Sequence, residues 1–153
     1  MFKKLFSKKS PNDKAHDQQS EQQTDPMQIA VASLLVEAAR ADEQYDEKEK
    51  SIIDRTLGAK FSLTPEASAA LRAEGEASQK EALDIQRFTR IAKDMSQEEK
   101  IAFIEELWEI VLSDGERDPF EDTLIRRICG LIYVEDRESG AARARVTARL
   151  GLN

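Results

Sequence analysis

Asp114, Glu116 and Asp118 alternate along a short segment in the manner of the first three oxygen ligands of a calcium loop. Glu121 follows within one helical turn of Asp118, and Glu109 precedes Asp114 at the end of an amphipathic stretch. Carboxylates grouped in this way, with no imidazole or thiol among them, are suited to a hard divalent cation, Ca²⁺ or a similar ion. The segment is not an EF-hand. Pro119 stands where that loop requires glycine, and its twelfth position carries no acid.

A second set of acids lies 72 positions earlier. Leu35, Glu37, Asp42, Asp46, Glu49, Ile53, Arg55 and Gly58 align without a gap on Leu107, Glu109, Asp114, Asp118, Glu121, Ile125, Arg127 and Gly130. Helix capping explains half of the matched acids: Asp46 and Asp118 are well placed as N-caps, with Glu49 and Glu121 as their reciprocal partners. It does not explain Asp42 and Asp114, which end the preceding helices, where the macrodipole disfavours a carboxylate. Nor does it explain Glu37 and Glu109. The acids therefore stand as a candidate cation site, as a docking surface for a basic protein partner, or as a solvated acidic turn.

The elements that must position these acids are helices. Capping boxes are expected at Asp25–Gln28, Asp46–Glu49, Ser78–Glu81, Ser96–Glu99 and Asp118–Glu121, and Thr64-Pro65 and Asp136 open two more helices. Between caps the apolar spacing is helical: Ile101, Ile104, Leu107, Trp108 and Val111 form one stripe, and Leu124, Ile125, Ile128, Cys129 and Ile132 another. Phe88, Ile91, Ala92 and Met95 mark the buried face of a middle helix. No alternating run suggests a strand. The expected fold is all-α, a single bundle of about seven helices with two pseudo-symmetric hairpin halves, in which Cys129 and Trp108 belong to the core.

With 153 residues and a hydrophobic fraction of 40%, the chain has the material for one ordinary domain. Its net charge of −7 argues against nucleic acid as a partner. One cysteine excludes an intramolecular disulfide, and one histidine, His16, removes His-rich zinc sites and the usual catalytic triad. The longest nearly apolar run, Ile29 to Val36, is eight residues, where a membrane-spanning helix needs about 20. The expected setting is cytoplasmic.

The charge is unevenly spread. Residues 1–24 hold five lysines against three acids, a net of +2, so residues 25–153 carry −9. Residues 10–24 are polar and read as a disordered linker, which places the helical domain at 25–153. Ahead of that linker Phe2, Leu5 and Phe6 form a short apolar strip among Lys3, Lys4, Lys8 and Lys9. Four lysines supply only about 4 kcal/mol at an anionic membrane, so the strip reads either as a solvated start with no specific role or as a weak, peripheral membrane contact. His16 lies in the linker and has no assigned role.

Leu34 to Asp42 followed by Asp46 and Glu49 resembles the first signature of the tellurite-resistance TerB family, and Arg87-Phe88-Thr89-Arg90 resembles its middle helix. Leu107-Trp108-Glu109 through Ser113-Asp114-Gly115-Glu116, then Asp118, Glu121 and Leu124 to Arg127, is similar to its second signature. The resemblance runs from about Met27 to Leu150. It implies a compact seven-helix domain whose acidic turns gather on one face proposed to bind metal. The positions are Glu37, Asp42, Asp46 and Glu49 with Glu109, Asp114, Asp118 and Glu121. It also implies a role in tellurite and other stress resistance, alongside membrane-bound partners. One departure is Glu43, where the family has the glycine found here as Gly115, so the second turn is the stronger candidate.

The leading expectation is a non-enzymatic acidic module that binds a divalent cation or a basic protein. The alternatives are a metal-assisted hydrolase working through paired carboxylates, for which no nucleophile–base pair or glycine-rich phosphate loop is present, and a purely structural oligomerisation domain. Tellurite itself is an oxyanion that a face of carboxylates would repel.

Overall fold

A computed structural model describes residues 25–41, 44–113 and 119–152. Among these residues there are seven helices and no strand: α1 (Pro26–Arg40), α2 (Glu47–Phe61), α3 (Pro65–Glu81), α4 (Gln86–Ala92), α5 (Gln97–Leu112), α6 (Pro119–Ile132) and α7 (Asp136–Leu150). The all-helical expectation holds.

The sequence of α1 dictates its place. Ala30 to Val36, Ala38 and Ala39 are all fully buried, so the helix is apolar around nearly its whole circumference and must lie inside the bundle. It packs against α2, α3, α4, α5 and α6. Its alanines let a neighbour approach closely. A Cβ built on Gly75 of α3 would lie 2.8 Å from the Ala32 Cβ and 2.9 Å from the Ala32 carbonyl carbon, so only glycine fits at that crossing. The rest of the core comes from Ile53 and Leu57 of α2, Phe103, Ile104, Leu107 and Ile110 of α5, and Ile125, Ile128 and Ile132 of α6. Each such side chain contributes roughly 1.5–3 kcal/mol by leaving water.

Trp108 and Cys129 belong to this core as expected. The Trp108 Nε1 donates to Ser139 Oγ at 3.1 Å, and burial pushes the Cys129 thiol pKa up, offset in part by a hydrogen bond with Ser139.

Local capping accounts for most helix starts. Asp25 accepts from the backbone of Met27 and Gln28, Thr64 accepts from Ala67 N, and reciprocal boxes close at Asp46/Glu49 and Ser96/Glu99. The expected Asp118–Glu121 box begins outside the described residues. Two expectations are corrected. Ser78–Glu81 opens no helix, because α3 runs unbroken through it to Glu81. Packing on α1 outweighs a cap worth about 1 kcal/mol, and Gln79 is instead used to bond Glu37 and Arg40 of α1. The following helix starts later, where Asp84 accepts from Gln86 N at 2.8 Å. Asp136 is the first helical residue of α7 and not its cap; Glu135 occupies that position without a side-chain capping bond, its carboxylate pairing instead with Arg137 at 3.4 Å.

Candidate functional site

The aligned acids lie on two copies of one helical hairpin. Arg40 ends α1 and Leu112 ends α5, 72 positions on; Glu47 starts α2 and Pro119 starts α6, again 72 positions on. Leu35 and Leu107 are fully buried, as are Ile53 and Ile125, while Glu49 and Glu121 are 5% and 3% exposed. The repeat also goes further than the aligned motifs. Ser68, Leu71 and Gly75 are the buried residues of α3; Ser139, Ala142 and Val146, each 71 positions on, are those of α7. Among the described residues the two non-glycine left-handed positions, Ser62 (φ 56°) and Tyr133 (φ 68°), keep that shorter spacing. The fold is therefore α1–α2–α3 and α5–α6–α7 with α4 between, the second unit being one residue shorter at the end of α6.

That shortening corrects one pairing. Leu63 N donates to Gly58 O and Val134 N to Cys129 O, so at this helix end Gly58 is matched by Cys129 and not by Gly130. A Cβ on Gly58 would meet Ser68 Oγ at 2.9 Å, whereas one on Gly130 meets nothing within 4 Å.

Asp42, Asp114, Glu116 and Asp118 lie outside the described residues, as do Glu43 and Gly115. The other candidates are placed. Glu37, half-buried, accepts at Oε1 from Gln79 Nε2 at 2.7 Å. Asp46 accepts from Glu49 N at 3.1 Å, and Glu49 accepts from Asp46 N at 3.2 Å. Glu109 is ion-paired with Arg55 of α2. Glu121 is buried in the first turn of α6. Thus Asp46 and Glu49 come together as a cap, and Glu37 and Glu109 each hold a side chain of another helix. Among the described residues no three acids, histidines or cysteines are grouped closely enough to share a metal ion.

The two hairpins adjoin at the acidic end. Lys48, in the first turn of α2, donates from Nζ to the Ser113 carbonyl at 3.0 Å, directly after α5 ends. With Arg55–Glu109 this ties α2 along α5 and sets the last residues before the second turn against the first residues after the first turn.

A polar network beside the first turn had little signal in the sequence. Tyr45 donates its hydroxyl to Glu76 Oε2 at 2.5 Å; Arg72 donates to the same oxygen at 2.9 Å and to Asp54 Oδ1 at 2.6 Å. The guanidinium of Arg40 and the ammonium of Lys50 lie 5.0 and 5.2 Å from the Tyr45 ring centre. Burial, then the bond and charge of Glu76, push the Tyr45 hydroxyl well above its ordinary value. Burial alone would lift the Glu76 carboxyl, but the bonds from Tyr45 and Arg72 outweigh it and hold it below the ordinary carboxylate range. Only the Arg72–Glu76 pair, four apart on one helix, was visible as a spacing.

The family model described as tellurite resistance protein TerB matches residues 28–144, about three-quarters of the chain. The chain belongs to the TerB family. The match spans α1 through most of α7 and includes both hairpins and every candidate acid. Neither a curated protein nor a solved structure matches the chain significantly. No helix among the described residues is long and apolar enough to cross a membrane.

Proposed function

We propose that this TerB-family chain is a non-enzymatic cytoplasmic module of tellurite and related stress resistance, whose two acidic turns take a divalent cation or the basic surface of a protein partner. The observation that carries the reading is the Lys48–Ser113 contact between two hairpins that repeat in register, because it brings the borders of both turns to one place. The donor set fits a hard cation: carboxylates only, with Cys129 buried in the core and His16 far off in sequence. Asp114, Glu116 and Asp118 are the residues that would hold it. Glu37, Asp46, Glu49 and Glu109 have partners in the fold and would support those residues from behind, and Asp42 and Glu121 belong to the same set by their spacing in the sequence.

Thermal unfolding of the metal-stripped protein with Ca²⁺, Mg²⁺, Mn²⁺ or Zn²⁺, beside Asp114→Asn/Asp118→Asn, tests this. An ion at 100 times its dissociation constant stabilises by about 2.7 kcal/mol, a rise of about 5–10 °C for a domain of this size. Asparagine caps a helix about as well as aspartate, so the variant keeps a usable baseline. A rise for one hard cation that vanishes in the variant supports the cation. Without any rise, a short poly-lysine peptide should bind the native chain and not the variant, and failure of both arms overturns the reading.

A further inference from the structure

The groove where α1 begins, α2 ends and α5 begins has an apolar floor and an acidic rim. Met27, Phe61 and Met95 form the floor, in a space of about 430 Å³. Asp94, Glu98 and Glu99 stand exposed around it. Asp94 and Glu98 make no ion pair among the described residues, and the one lysine on the rim, Lys60, is engaged by Glu106 at 3.3 Å. Met27 is the second residue of α1, so the groove opens at the root of the N-terminal tail.

We propose that residues 2–9 of this same chain are the occupant. The apolar strip Phe2, Leu5 and Phe6 matches the floor, and Lys3, Lys4, Lys8 and Lys9 match the rim in sign. Residues 10–24 put 15 positions between the strip and the start of α1, a tether length with a reach of about 20 Å, enough to return the strip to a groove beside its own attachment point. Such a tether holds the strip at an effective concentration in the millimolar range, so weak complementarity suffices. A second apolar groove, between α2, α5 and the C-terminal Leu150 and Leu152, carries Lys48 and Arg55 with Glu109, which is already paired with Arg55, and so has the wrong sign for a lysine-rich strip. The tail thereby covers apolar surface of its own domain and is withheld from other surfaces until it is displaced.

The test uses the full-length chain with a nitroxide on Ser7→Cys; Cys129 is fully buried and is not labelled in the native fold. The Met95 methyl resonance should lose most of its intensity, recover it in Asp94→Lys/Glu98→Lys, and lose it again when Lys3, Lys4, Lys8 and Lys9 are also changed to glutamate. Loss of signal spread evenly over the surface, or unchanged by reversing the rim, overturns the proposal. Phosphatidylserine-containing vesicles provide the second arm. Rim reversal should raise vesicle binding several-fold by releasing the tail, and equal binding by native and reversed chains overturns the proposal in favour of a tail that serves lipid alone. The paired charge reversal separates lost docking from lost folding, and no metal enters either arm.

Discussion

The two three-helix units share a plan and differ in what covers their hairpins. In the first, α3 crosses α1 at the Gly75–Ala32 contact, backbone against backbone. The equivalent positions in the second unit are Ile104 of α5 and Val146 of α7, both fully buried, so side chains fill the space that close approach removes in the first. The consequence reaches the acidic ends. Drawn tightly over the first hairpin, α3 engages Glu37 and Arg40 through Gln79 and Tyr45 through Glu76. In the second unit α7 bonds Glu105 through Arg145 and Arg149, while Glu109 turns to α2. Duplication thus supplies two acidic hairpins, and divergent packing commits the polar groups of the first one to holding the fold.

Placing bulk at the tight crossing should break the comparison most severely. Gly75→Ala is expected to cost about 2–3 kcal/mol by overpacking, because the new methyl meets the main chain of Ala32, which cannot rotate away. Chemical denaturation would show it as a lowered midpoint, and a loss below about 0.5 kcal/mol would mean that α3 can slide off α1 at little cost. Tyr45→Phe comes next, at about 1–2 kcal/mol near neutral pH for a bond to a charged carboxylate. It also changes the pH profile at both ends. The folded Tyr45 pKa is raised, so its contribution is full below the ordinary tyrosine value of about 10 and is lost as pH rises toward the folded value. The folded Glu76 pKa is lowered, so its contribution is present above the ordinary carboxylate value and is lost as pH falls through the folded one. Stability measured against pH should therefore fall less steeply at both extremes in Tyr45→Phe than in the native chain.

The sequence made the helices legible wherever a local device suffices to set them. Asp46, Thr64 and Ser96 each satisfy orphan backbone donors within three residues, and no tertiary contact is needed to see it. Ser78 misled because α3 already had a partner in α1, and long-range packing overrode the cap. The repeat was legible through the hairpins and then lost, since one residue fewer in α6 shifts the spacing from 72 to 71 and breaks an ungapped alignment. Of the candidate site, the acids were visible by type and spacing, but their commitments were not. Tyr45 and Glu76 are 31 positions apart and follow no period, so only the packing of α3 reveals the bond.

The buried serines sharpen the comparison at lower energy. Ser139 meets the Trp108 indole at 3.1 Å, while Ser68 Oγ is buried with no hydrogen-bond partner among the described residues, because Val36 stands where the second unit has Trp108. Ser139→Ala orphans a buried indole N–H and should cost about 1 kcal/mol or slightly more; Ser68→Ala deletes a hydroxyl that bonds nothing and should be neutral or mildly stabilising. Equal losses in thermal unfolding would show that both hydroxyls have partners in solution.

The smallest expected effect is a gain. Gly130 lies inside α6 with nothing within 4 Å of a Cβ, so Gly130→Ala trades backbone freedom in the unfolded chain for a methyl in open space. That exchange should stabilise by about 0.5–1 kcal/mol. Gly58→Ala makes the same backbone exchange, but its methyl would stand 2.9 Å from Ser68 Oγ, so the gain should vanish or reverse. Combining it with Ser68→Ala removes the obstructing oxygen and should return the missing gain, giving a coupling between the two positions that Gly130→Ala with Ser139→Ala does not show. A double-mutant cycle measures that difference directly. If Gly58 and Ser68 were uncoupled, α3 would not be packed tightly on α2, and the tighter cover of the first hairpin would have to be attributed to α1 alone.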